Sequence, residues 1–190
     1  MRPEIEDVLR QFQTGELPSD AQYFRLHGKE VELIVASLAT QTERDVSWEA
    51  PVDLFNFYHL QLAVDPSLHS PLYGKSQELL RRLIDEGRSA SFLHLLLSTF
   101  SRWMFAYWQR FSRDNGAIEE TISLQHDPHN HGEKEMLKAV QQSLVTHGWQ
   151  LLTPEEANEP VLGASPVWPQ TDGPALVRHM LFPGCGSLLD

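Results

Sequence analysis

Cysteine is almost missing from this chain: Cys185 is the only one among 190 residues. That excludes an internal disulfide and a cysteine-rich zinc site, and a reducing, cytoplasmic location is the matching expectation. Basic residues are also scarce, with 15 Lys and Arg against 26 Asp and Glu for a net charge of −11. A duplex or RNA binder needs clustered cations to displace counterions, so nucleic acid is not an expected partner. Nor is there a clean apolar run of membrane length. In the richest stretch, Ser89 to Trp108, thirteen of twenty residues are apolar, but His94, Thr99, Arg102 and four serines interrupt them. An Arg inside a span costs about 2.5–3.5 kcal/mol, so this stretch reads as buried core and no membrane association is expected. The acidic start, Arg2-Pro3-Glu4-Ile5-Glu6-Asp7, has no apolar segment of the kind a secretory leader carries. Nucleophile elbows, His-Glu-x-x-His helices, dinucleotide fingerprints and EF-hand loops are absent too.

What is present is an ordinary globular composition, 41% hydrophobic and 22% charged, which supports a buried core and one domain, or one body with an appended layer. Ile5, Val8, Leu9 and Phe12 share one helical face over 4–14, with Pro3 in the first turn and Gly15 as the stop. Val31, Ile34, Val35 and Leu38 predict a helix over 30–42, although Val31, Leu33 and Val35 also alternate as a strand would. The run 51–64 is apolar nearly all round and reads as a buried helix ended by Asp65-Pro66. A further helix is expected over 76–86, stopped at Gly87. From 89 to 113, Leu93, Leu96, Leu97, Phe100, Met104, Tyr107, Trp108 and Phe111 recur at three- and four-residue steps, which predicts the central helix of an all-helical body.

The pattern changes at the turn Asp114-Asn115-Gly116. A β-branched strand is expected over 118–124, an amphipathic helix over 133–147 with Gly148 just past its end, and short strands over 149–152 and 177–182. Four prolines between 160 and 174 mark an extended loop. The expected class is therefore α+β: an N-terminal multi-helix body (1–113) carrying a small C-terminal antiparallel sheet with one packed helix (114–190), as one structural unit. Charge divides at the same place. Residues 1–113 hold 12 basic and 15 acidic side chains, whereas 114–190 hold 3 and 11.

Within the acidic part, His126, His129 and His131 place three imidazoles within six residues, a possible ligand set for zinc or another divalent metal. Neither a helix nor a strand brings all three to one side, so a fourth group such as His94, His147 or His179 would be needed. Asp127 or Glu133 would then serve as an additional ligand or as the base that activates bound water. The competing reading is a helix entry, with Asp127 before Pro128 or Asn130 three residues before Glu133 as the cap. Gly74-Lys75-Ser76 resembles the end of a phosphate loop, but position 69 is His where that loop needs glycine. Cys185, near a Gly-rich end, lacks the cation or helix terminus that would activate a thiol. The adjacent carboxylates Glu119-Glu120, Glu155-Glu156 and Asp85-Glu86 fit solvated or capping positions, the second pair following Thr153-Pro154 as a helix start.

Trp168, flanked by Pro166 and Pro169, is the tryptophan hardest to bury and the best aromatic contact candidate. The expected function is a cofactor-free, non-enzymatic module that docks a basic protein, on the pattern of a bacterial immunity or antitoxin-like protein occluding a basic toxin. Its contact residues would be Glu119, Glu120, Glu133, Glu155, Glu156, Glu159 and Trp168. The alternative is a metal-dependent enzyme built on His126, His129 and His131.

Overall fold

Every residue from Ala90 to Ser98 is buried, which a one-faced helix cannot achieve and a central strand covered on both sides does. The computed structural model describes residues 2–13, 28–50, 57–68, 75–99, 101–123, 128–162 and 175–182. In chain order its elements are α1 (Pro3–Gln13), α2 (Gly28–Thr42), β1 (Val46–Glu49), β2 (Phe57–Ala63), α3 (Lys75–Asp85), β3 (Ala90–Ser98), β4 (Trp103–Asp114), β5 (Ala117–Ser123), α4 (His131–Thr146), β6 (Gln150–Leu151), α5 (Pro154–Ala157) and α6 (Val177–Leu181). Strands β1 to β5 form an antiparallel meander in sequence order, and β6 adds in parallel to the start of β4, at Trp103 and Met104.

The molecule is thus α+β, but the sheet lies mid-chain and helices flank it at both ends. Three expected elements change type. The long helix over 89–113 is instead the β3–β4 hairpin, and the part of 51–64 that is described, from Phe57 onward, is β2. The strand expected over 177–182 is the short helix α6. In the first two cases the cause is burial on both faces. A strand covered above and below shows a continuous apolar run in place of alternation, and leucines then fall on helical spacings by chance. The position between 113 and 114 lies inside β4, at the tip of its ladder with β5.

The two faces of the sheet differ. On the first, Leu60, Leu62, Leu93, Leu95, Leu97, Met104, Ala106 and Trp108 pack under α2 and α4, which contribute Val31, Ile34, Leu38, Met136, Leu137, Val140 and Leu144. Each fully buried Leu or Ile here contributes about 1.5–3 kcal/mol. On the second face there are two separate apolar clusters. One joins Phe57, Leu96, Trp103, Phe105 and Tyr107 to Ile5 and Leu9 of α1 and to Val177, Leu181 and Phe182. The other joins Ala63, Ala90 and Phe92 to Leu80, Leu83 and Ile84 of α3.

Local chemistry sets the ends of these elements as the sequence leads one to expect. Asn130 caps α4, its side chain accepting the Glu133 amide at 2.9 Å, and Gly148 follows the helix with φ +77°. Thr153 and Glu156 form a reciprocal capping box at α5, with Pro154 in the first turn. Among the described residues, no helix is long and apolar enough to cross a membrane.

Candidate functional site

The site begins at the β4–β5 hairpin. Asn115 and Gly116 both have positive φ, 48° and 86°, the geometry of a two-residue type I′ turn whose twist matches the strands it joins. The register then runs without a bulge from Asp114 opposite Ala117 to Trp108 opposite Ser123. β5 is the last strand on its side of the sheet, and from Ala117 to Thr121, and again at Ile122, its residues are exposed. Ile118 and Ile122 are 44% and 39% accessible, with Glu119 and Glu120 between them.

Behind this edge a polar row crosses the second face of the sheet between the two apolar clusters. His59 and Gln61 come from β2, His94 from β3, Gln109 from β4 and Glu120 from β5. His59 Nε2 lies 2.7 Å from His94 Nδ1, His94 Nε2 lies 2.9 Å from Gln109 Oε1, and Gln109 Nε2 donates to Glu120 Oε1 at 2.7 Å. The His94 ring stacks on Tyr107 at 4.5 Å between centroids and lies 5.0 Å from the His59 ring.

The Glu120 end orients the row. A carboxylate accepts only, so Gln109 must turn its NH2 toward Glu120 and its oxygen toward His94. His94 then carries its proton on Nε2, its Nδ1 accepts, and His59 donates through Nε2–H. The atom 3.1 Å from His94 Nε2 is Gln61 Nε2. Two N–H donors cannot pair, so this tautomer requires the Gln61 amide to be turned end for end, with its oxygen toward His94. Burial lowers the His59 pKa to about 4. Burial, together with the neighbouring His59, lowers that of His94 to about 3, against the opposing hydrogen bond to Gln109. Both rings are therefore neutral at pH 7, and every donor in the chain points toward the exposed carboxylate.

On the first face, a cavity of about 680 Å³ opens where β5 meets the start of α4, lined by Ser91, Ser112, Thr121, Ser123, His129 and Asn130 among others. Its floor is an ion pair. Arg110 donates to Glu133 through Nε at 3.0 Å and Nη2 at 2.8 Å, and the Glu133 side chain is fully buried. Glu133 also accepts the His129 amide at 2.7 Å. Burial pushes the Glu133 carboxyl up, but Arg110, the His129 amide and the Ser91 hydroxyl outweigh it and hold it below the usual carboxylate range.

The expected contact residues therefore separate. Glu119, Glu120 and Glu155 are exposed. Glu133 is enclosed with Arg110 and presents no charge outward. Glu156 is half-buried and engaged by Arg2, whose Nη2 donates to it at 2.6 Å and whose guanidinium lies 4.2 Å from the Trp103 ring centre. Glu159 is half-buried beside a shallow hollow shared with α1, and Trp168 lies outside the described residues. His126 also lies outside them, while His129 and His131 bracket the cap residue Asn130 at the exposed start of α4. Among the described residues, no group of three His, Cys, Asp or Glu side chains is placed to hold a metal ion. His94 belongs to the polar row, and His179 accepts the Leu176 amide at 3.3 Å within α6. His147 ends α4, where its carbonyl accepts from Arg102 at 2.8 Å.

Sequence reasoning missed the row. Its signal was there: His59, Gln61, His94, Tyr107 and Gln109 are polar groups in the most apolar part of the chain, at the even spacings a strand would place on one side. Read as helices, the same residues scatter around the axis. Compared with known proteins, the chain matches no family model, no curated protein and no solved structure.

Proposed function

We propose that this protein is a non-enzymatic binding module whose acidic sheet edge docks a basic protein, in the manner of an immunity or antitoxin protein that occludes a basic toxin. The observation that carries the reading is β5: a strand exposed along its length, with Glu119 and Glu120 held outward between two accessible isoleucines. Two features add support. The net charge of −11 makes encounter with a cationic partner fast and salt-sensitive. The polar row fixes the Glu120 carboxylate from behind through Gln109, so a partner meets an acceptor that is already oriented. Glu155, on α5, lies on a different element and would extend the contact only for a large partner.

The test is capture from the source cell with the wild-type chain and the Glu119→Lys/Glu120→Lys variant side by side. A basic protein should be retained by the wild type, lost from the variant, and released as salt rises from about 0.05 to about 0.3 M, where the screening length falls below about 10 Å. Equal retention by both chains, independent of salt, would overturn the reading.

A further inference from the structure

We propose that the partner is held by strand addition: an extended basic segment pairs with the outer edge of β5 and continues the sheet. This rests on the acidic-docking reading above and adds how the partner is gripped. In a two-residue hairpin the closing pair, here Asp114 and Ala117, is mutually hydrogen-bonded, and the pattern then alternates along the ladder. Ala117, Glu119, Thr121 and Ser123 thus direct their backbone groups to β4. Ile118, Glu120 and Ile122 direct theirs outward, and among the described residues no strand lies beyond them.

Edges of this kind are normally blunted by Lys, Pro, a bulge or a covering segment. β5, Ala-Ile-Glu-Glu-Thr-Ile-Ser, contains neither Lys nor Pro, its register has no bulge, and its residues are open to solvent. Among the described residues its guard is negative charge, which rejects some strands and selects others. A second copy is rejected: antiparallel self-pairing that sets Ile118 against Ile122 also sets Glu120 against Glu120. A cationic strand is selected, with Lys or Arg opposite Glu119 and Glu120 and β-branched residues opposite the two isoleucines. On the first face, the hydroxyl-lined cavity beside Thr121 and Ser123 has room for a neutral polar side chain of that strand.

The probe is a blocked synthetic peptide, Thr-Val-Thr-Lys-Lys-Val-Thr, matched in length to the seven residues of β5 and added to the isotope-labelled full chain. Strand addition predicts that hydrogen exchange slows about tenfold at the amides of Ile118, Glu120 and Ile122, while those of Glu119 and Thr121, already bonded to β4, stay unchanged. Methylating the peptide nitrogens that face β5 should weaken binding about tenfold. Ile122→Pro, which deletes an outward N–H but keeps both carboxylates and the β4 ladder, should do the same. Salt-sensitive binding with no change at the three amides overturns strand addition and leaves the acidic-docking reading standing, as does failure of the peptide to bind a chain that still captures its basic protein. Undiminished binding to Glu119→Lys/Glu120→Lys overturns both. Protection of the same amides without peptide, rising with protein concentration, would show self-pairing and overturn the proposal. The exchange measurement needs no variant, so it decides even if Ile122→Pro fails to fold.

Discussion

Two acidic residues that look alike in the sequence do opposite work. Glu120 is open to water and ends a hydrogen-bonded row, whereas Glu133 is sealed against Arg110 and ties the start of α4 to β4. Removing one member of a buried pair strands the other charge. Glu133→Ala is therefore expected to cost about 3–5 kcal/mol in urea unfolding. Replacing both partners, Arg110→Met with Glu133→Leu, should recover most of that loss because no charge then remains buried. If the single and double variants lose the same stability, the pair is not what holds α4 down. Glu133 was legible as a helix-start residue from its spacing to Asn130, but its burial was not. The Arg that encloses it sits 23 positions earlier, on a strand that sequence periodicity presents as helix.

At the scale of elements, the parts with local punctuation were readable. The start of α1, the stop of α3, the caps of α4 and α5, and the Asn115-Gly116 hairpin follow from the conformational limits of Pro, Gly, Asn and Thr, which act over a few residues, while the expected stop of α1 at Gly15 lies outside the described residues. The β3–β4 hairpin was not readable, because the periodicity of a strand buried on both faces is erased. Besides the spacing of the polar row, the signal available was the aromatic content of Phe92, Trp103, Phe105, Tyr107 and Phe111, which favours strands. Turn chemistry also makes a measurable claim about the docking edge. Gly116 has φ +86° with open space around its Cα, so Gly116→Ala strains only the backbone. The expected cost is about 1–2 kcal/mol, seen as faster hydrogen exchange at Glu119 and Thr121 before α4 amides are affected. Uniform loosening of the whole sheet would count against β5 as a locally opening element.

For the whole molecule, the row of neutral histidines couples stability to pH. Below the ordinary histidine value of about 6.5, the unfolded chain takes up protons that folded His59 and His94 refuse until about pH 4 and about pH 3. The unfolded state binds more protons across that interval, so the contribution is complete above about 6.5 and declines as pH falls toward 4. Glu133 and Glu156, both held below the usual carboxylate range, add their own losses only from about 4.5 downward. Thermal melting at about pH 7.5 and about pH 5.5 separates the two. The wild type should lose stability across this step, and His94→Gln, which keeps an amide in the row, should lose distinctly less. An equal drop in both chains would place the acid sensitivity elsewhere.

By itself the sequence determined the mixed helix and strand class, the local starts and stops, and the concentration of negative charge after residue 113. Those properties depend on composition and on neighbours a few positions apart. Only the tertiary structure decided which apolar segments pair side by side in the sheet. It also decided that five polar residues from four strands meet in one row, and that Glu133 turns inward while Glu119 and Glu120 stay out. These outcomes depend on strand register between residues tens of positions apart, where shifting a strand by one residue turns every side chain to the opposite face.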